Sequence, residues 1–183
     1  MAKKETQNTK EQIFWAIFES VIQLEVIKGY GKWKITDLSR ISKVSRPLIY
    51  YYFGKSKDEI IRTAVDYLGA EYFGLSESRL KMWASGQLTE SVLISRHLSQ
   101  KSPFTHVYYM TRRLQQNEIG KILRDYEKQF RSKIKLYFAD LDEAGVDGMA
   151  GTLFGLVAYP GLTDDGVRKS IHFICKDLKL RGS

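Results

Sequence analysis

The segment from Thr36 to Lys57 constrains the fold more than any other part of the chain. It reads Thr-Asp-Leu-Ser-Arg-Ile-Ser-Lys-Val-Ser-Arg-Pro-Leu-Ile-Tyr-Tyr-Tyr-Phe-Gly-Lys-Ser-Lys. Thr36 can cap a short helix whose apolar positions, Leu38 and Ile41, lie three apart and so share one face. Ser45 can cap a second short helix. Pro47 then falls in its first turn, where a missing N–H leaves no helical bond unmade. Two such helices, joined only by a tight turn at Lys43-Val44, must cross steeply, as a helix-turn-helix requires. Leu38, Ile41, Val44, Ile49 and Phe53 would form a small core with the helix before them. One stretch argues otherwise. Leu48-Ile49-Tyr50-Tyr51-Tyr52-Phe53 is rich in strand-prone residues, and propensity alone makes it a strand. The caps at Ser45 and Ser56 favour a short helix between them.

Charge adds to this. The 183 residues carry a net +8, from 29 basic and 21 acidic side chains. Residues 28–57 hold Lys28, Lys32, Lys34, Arg40, Lys43, Arg46, Lys55 and Lys57 against one acid, Asp37. Such a stretch suits a polyanion, although a solvated basic surface has the same composition. In a helix-turn-helix, Arg46, Pro47, Leu48, Tyr50 and Tyr51 would face base edges in a major groove. Arg46 leads this set, because a guanidinium grips guanine O6 and N7 together. Thr36, Ser45, Tyr52, Lys55 and Lys57 lie where hydroxyls, amides and ammonium groups can hold phosphates.

The rest of the chain also reads as helix. Thr9 and Gln12 have capping-box spacing, and an apolar stripe from Ile13 to Leu24 follows. Gly29-Tyr30-Gly31 breaks that helix near Lys28. Ser56 and Glu59 form a second box ahead of Ile60, Ile61, Ala64, Val65 and Leu68. Further helices are expected over 76–84, 87–99, 104–115, 118–139, 146–159 and 165–179. Gly145 punctuates them, Pro160 ends one, and Asp164 or Asp165 caps the next. The expected architecture is all-α with about nine helices. Residues 1–58 form a three-helix, helix-turn-helix DNA-binding domain, and residues 59–183 a helical ligand-binding and dimerisation domain.

The run Ile-Thr-Asp-Leu, then Val-Ser-Arg-Pro-Leu-Ile-Tyr-Tyr-Tyr-Phe, then Ser-Lys-Asp-Glu-Ile-Ile resembles the DNA-binding domain of the tetracycline-repressor (TetR) family. The resemblance covers roughly residues 10–65 and favours helix for the tyrosine run. It implies an all-helical homodimer with a variable C-terminal ligand domain. It also implies that Tyr50 meets phosphate or base, Tyr51 faces the groove, Tyr52 lies near the backbone, and Lys57 holds a phosphate. The sequence departs from the family pattern at three places. Lys43 stands where glycine is usual, so it must take a left-handed conformation, at about 1 kcal/mol, or a different turn. Ser39 replaces a small alanine, and Gly54-Lys55-Ser56 lengthens the link to Lys57, so Lys55 can share its role.

Elsewhere the candidates are weaker. Met82, Trp83, Phe104, Tyr108, Tyr109 and Met110 could line a ligand pocket, although aromatic and methionine positions at helical spacing are more often plain core. Arg112 and Arg113 could meet an anionic effector or face solvent. The resemblance implies that the last two helices form the dimer interface, with Gly151, Leu153, Gly155, Leu156, Val167, Ile171 and Ile174 as contacts, and the glycines permit close helix approach. His172 and Cys175 have ligand spacing, but two ligands are too few for zinc, so no metal and no cofactor are expected. Asp140, Asp142, Glu143 and Asp147 read as a polar loop that helps cap a helix. No nucleophile elbow, phosphate loop or dinucleotide fingerprint is present, so no catalytic residue is expected. One cysteine, a polar N-terminus and no membrane-length apolar run fit a bacterial-type cytoplasm, beside the nucleoid. The expected partners are double-stranded DNA with a pseudo-palindromic operator, a second copy of the chain, and a small-molecule effector that releases a repressor. An activator or chromosome-organising protein of the same fold, or a small helical enzyme, are the rival readings.

Overall fold

A computed structural model describes residues 10–176. The described residues form ten helices and no strand. In chain order these are α1 (Lys10–Lys28), α2 (Ile35–Ser42), α3 (Arg46–Phe53), α4 (Lys57–Tyr72), α5 (Glu77–Ala84), α6 (Leu88–Lys101), α7 (Pro103–Arg112), α8 (Glu118–Tyr137), α9 (Glu143–Ala158) and α10 (Asp164–Cys175). The expected cap at Thr9 and the end of the expected 165–179 helix lie outside the described residues. No described helix is long and apolar enough to cross a membrane.

Two compact units divide between Leu68 and Gly69, inside α4, whereas the sequence places the division after residue 58. The first turns of α4 bury Ile60, Ile61, Ala64 and Val65 and belong with the first unit. In that unit α1 packs on α2 and α2 on α3. The Phe53 ring stands 5.1 Å from Phe14 and 5.4 Å from Phe18, joining α3 to α1. Tyr67 of α4 meets Trp15 at 6.2 Å and Phe18 at 5.1 Å. Leu38, Val44, Ile49 and Phe53 are buried as the spacing implies, while Ile41 is half-buried. Sequence reasoning missed the polar part of this core. Glu25 is fully buried, and its carboxylate accepts from Trp33 Nε1 at 2.6 Å and from the Gly31 amide at 2.9 Å. Those bonds fix the α1–α2 connection that orients the next two helices.

The helix starts correct one expectation. Lys34, not Thr36, is the N-cap of α2. Asp37 reaches back to accept from the Lys34 amide at 2.9 Å, while the lysine side chain, a donor only, cannot accept from the first-turn amides. α3 starts as expected, with Ser45 at the N-cap and Pro47 in the first turn. The tyrosine run is therefore helix. Its buried positions, Ile49 and Phe53, are four apart, the period of a helix rather than a strand.

In the second unit α6 packs against α5, α7, α9 and α10, and α8 packs against α7 and α9. Close approach of α4 to α8 depends on Gly69, where a Cβ would lie 2.7 Å from the Tyr126 ring. Arg96 of α6 is fully buried. Its Nη1 donates to the carbonyls of Leu156 at 3.1 Å and Tyr159 at 2.7 Å, and its Nη2 to that of Leu162. These bonds satisfy carbonyls at and just beyond the end of α9, of which that of Tyr159 also accepts from the Leu162 amide at 3.4 Å. α9 begins at Glu143, so Gly145 lies in its first turn and does not precede it. Asp142 caps the helix, accepting from Gly145 N at 2.8 Å. Thr163, not Asp164 or Asp165, caps α10, accepting from Gly166 N at 3.1 Å.

Candidate nucleic-acid interface

The turn between α2 and α3 decides how α3 is presented. Lys43 adopts φ 59° and ψ 18°, the left-handed region, and no other non-glycine residue among those described has a positive φ. Two serines fasten this turn. Ser39 Oγ donates to the Val44 carbonyl at 2.7 Å, and the Val44 amide donates to Ser42 Oγ at 3.2 Å. The hydroxyl at position 39 thus holds the turn and does not reach α3. Gly54, at φ 66°, ends α3 and donates its amide to the Tyr50 carbonyl at 3.0 Å. Ser56 accepts from the Glu59 amide at 3.3 Å at the head of α4.

With Ile49 and Phe53 directed inward, α3 leaves Arg46, Pro47, Tyr50 and Tyr51 exposed, Tyr51 at 80%. Leu48 is half-buried. Thr36 and Ser45 are exposed, and the Ser45 hydroxyl makes no cap hydrogen bond. Tyr52 is half-buried, its ring edge-on to Phe14 at 5.0 Å and to Tyr51 at 5.1 Å. Lys55 is exposed. Lys57 is not, and its Nζ donates to the carbonyls of Gly31 at 2.6 Å and Trp33 at 3.2 Å. It also lies 5.7 Å from the centroid of the Trp33 ring. That ammonium ties α4 to the α1–α2 connection.

Electrostatics sharpen the surface. Asp37 pairs with Lys28 at 2.8 Å and with Arg40 at 3.6 Å. The hydrogen bond from Lys28, then that from the Lys34 backbone, holds its carboxyl below the usual range. The one acid of residues 28–57 is therefore matched within the unit. Lys32, Lys34, Lys43, Arg46 and Lys55 stand exposed along with the outer face of α3.

In the second unit the expected ligand residues do not come together. Trp83 lines one cavity and Tyr109 a second. Met82, Phe104 and Tyr108 line neither, and Met110 is exposed. Arg113 is held by Glu127, which also accepts from the Tyr109 hydroxyl. The expected dimer residues divide as well. Leu153, Leu156, Val167 and Ile171 are buried within the protomer, and Ile174 is half-buried. At Gly148, Gly151 and Gly155 a Cβ would meet nothing within 4 Å, so that face of α9 is open. His172 is exposed and Cys175 half-buried, and the described residues contain no cluster of three potential metal ligands. Three buried cations, Arg79, Arg96 and Lys133, escaped the sequence reading altogether. A signal existed for Lys133, which falls on the apolar stripe of α8 beside Phe130 and Ile134.

No protein-family model matches the chain, and no curated protein is similar to it in sequence. A solved structure from Clostridium perfringens, described as a "putative fatty acid metabolism regulator", shares the fold. It superposes with a TM-score of 0.61 at 18% identity, covering 88% of this chain and 97% of that one.

Proposed function

We propose that the chain is a helix-turn-helix transcriptional regulator that reads DNA with α3. The observation that carries this is the division of α3 into two faces. Ile49 and Phe53 anchor it, while Arg46, Pro47, Tyr50 and Tyr51 stand outward on a short helix bordered by exposed lysines. Arg46 is the base-reading residue, suited to a guanine, and Tyr50 and Tyr51 add groove contacts. Thr36 and Ser45 offer hydroxyls to phosphates, and the first turn of α3 adds its positive end. Lys55 holds a phosphate in place of Lys57, whose ammonium already has two carbonyl acceptors. Tyr52 steadies Tyr51 beside the backbone. The fold shared with a protein described as a regulator supports the same reading.

In this reading the protein works as a homodimer. The open glycine face of α9 and Phe173 of α10, 80% exposed, form the contact, with Ile174 at its margin. Two copies then place their α3 helices about 34 Å apart, in successive major grooves of a pseudo-palindrome. The second unit takes a small-molecule effector that releases the repressor from its operator. Residues of α4 belong to both units, so that helix is the element through which binding bears on α3. DNase footprinting on the DNA beside the protein's own coding region tests the reading. A protected palindrome is the expected result, and uniform, sequence-independent protection would overturn it.

A further inference from the structure

Of the three cations the second unit buries, Arg96 is spent on the carbonyls at the end of α9, and the other two stand together. Arg79 of α5 is 2% exposed and Lys133 of α8 is 4% exposed. They converge on Gly74. A Cβ there would lie 3.3 Å from Arg79 Nη2, 3.5 Å from Ser91 Oγ and 3.6 Å from Lys133 Nζ. Gly74 turns the chain at φ +61°, a conformation glycine adopts freely, and so leaves no side chain between the two cations. Lys133 Nζ donates to the Gly74 carbonyl at 2.5 Å and stands 3.8 Å from the centroid of the Trp83 ring. Arg79 donates from Nε to Ser91 Oγ at 3.0 Å, and from Nη2 to the Ser91 carbonyl and to Ser95 Oγ at 2.7 Å. Its Nη1 is buried without a hydrogen-bond acceptor, and the Glu71 carboxylate is 3.9 Å away. Two cations and one carboxylate leave a net positive charge in the interior, which is costly without a counter-charge.

Gly74, Arg79, Ser91 and Ser95 of the cluster line a small cavity of about 20 Å³, on the measure by which one water needs about 10–15 Å³. Phe73, Phe130 and Phe154 wall it, and the same three rings line a second cavity of about 250 Å³.

We propose that this site binds an organic monocarboxylate, its carboxylate held between Arg79 and Lys133 and its apolar body among Phe73, Phe130 and Phe154. The charge selects a monoanion: it neutralises the cluster, whereas a phosphate dianion reverses its sign. A neutral ligand can accept from Arg79 Nη1 but leaves the positive charge uncompensated. The inference supplies a chemical class for the effector proposed above and rests on that reading for its biological role, but the binding itself does not.

The charged and titratable groups at the small cavity are few, while Arg113, Glu127 and Arg131 line the larger one. Arg79 faces Lys133 from α5, and Glu71 and Tyr72 border the cluster from α4. α6 and α9 line the cavity only with serines and apolar side chains, and Tyr109 of α7 lies against the Phe73 ring at 5.2 Å. Burial, then the neighbouring Arg79, pushes the Lys133 ammonium down to about 7, while burial raises the Tyr72 hydroxyl. Above that pH the bound anion must draw a proton onto Lys133. Its affinity therefore falls as pH rises, approaching tenfold per unit.

Titration calorimetry on the full chain without DNA tests this, using octanoate and 4-phenylbutyrate, each against its primary amide. The expected result is carboxylate binding at least tenfold tighter than the amide, weakening from pH 7 to pH 9. Lys133→Met should reduce carboxylate affinity at least tenfold with its helical melting transition retained. Should that variant fail to fold, the wild-type pH series carries the test. No binding by either carboxylate, equal binding of the amides, or a flat pH profile would overturn the proposal. Footprinting decides the DNA-binding reading separately, so failure of one leaves the other standing.

Discussion

Lys43 is legible in the sequence as a strained residue, because the turn it occupies calls for glycine. The left-handed φ of 59° bears this out. Lys43→Gly should raise unfolding stability by about 0.5–1 kcal/mol, read from urea denaturation, since the Cβ penalty disappears. An unchanged or lower stability would mean that the turn carries no such strain. Lys57 is not legible in the same way. Its acceptors, Gly31 and Trp33, lie 26 and 24 residues earlier, and no local pattern connects them. The two lysines Lys55 and Lys57 should therefore separate in experiment. Lys55→Ala should reduce the salt dependence of DNA binding by a slope of about 0.9, one phosphate contact, without altering the melting temperature. Lys57→Met should lower the melting temperature, because it strips two carbonyls of their donor. The opposite pattern would return the phosphate role to Lys57.

Element positions are legible where a cap or a breaker marks them, and obscure where the choice is between partners. Pro47 and Ser45 locate the start of α3, and the spacing of Ile49 and Phe53 overrides the strand propensity of the tyrosines. An apolar stripe, however, does not say what covers it. Leu153 and Leu156 of α9, with Val167 and Ile171 of α10, are buried inside the protomer, where α6 packs against both helices. The residues left open on α9 include Gly148, Gly151 and Gly155, which periodicity scores as nothing. Gly155→Glu should leave the protomer folded, because a Cβ there meets nothing within 4 Å, yet it should convert dimer to monomer in sedimentation analysis. A dimer of wild-type affinity would place the contact elsewhere. Arg79 is hidden for a related reason. A charged residue on a helix is ordinarily solvated; the α8 stripe marks Lys133, but the burial of Arg79 depends on packing of α5 and α6 that its own helix does not disclose.

At the scale of the whole molecule, charge and division of labour agree. The excess of +8 is concentrated ahead of residue 57, and the first compact unit contains that stretch together with α3. The fold class is legible throughout, since caps, breakers and helical periodicity point the same way along the chain. The function of the second unit is not, because a ligand site there is assembled from residues far apart in sequence. The central claim is that α3 reads base sequence and that Arg46 leads it. Selection of tight binders from a random duplex pool tests this most directly, with wild type and Arg46→Ala in parallel. Wild type should enrich a palindrome with half-sites one helical turn apart. Arg46→Ala should enrich none, while keeping its fold and its weak, salt-sensitive affinity for all duplexes. Enrichment of the same palindrome by both proteins, or of none by wild type, would contradict it.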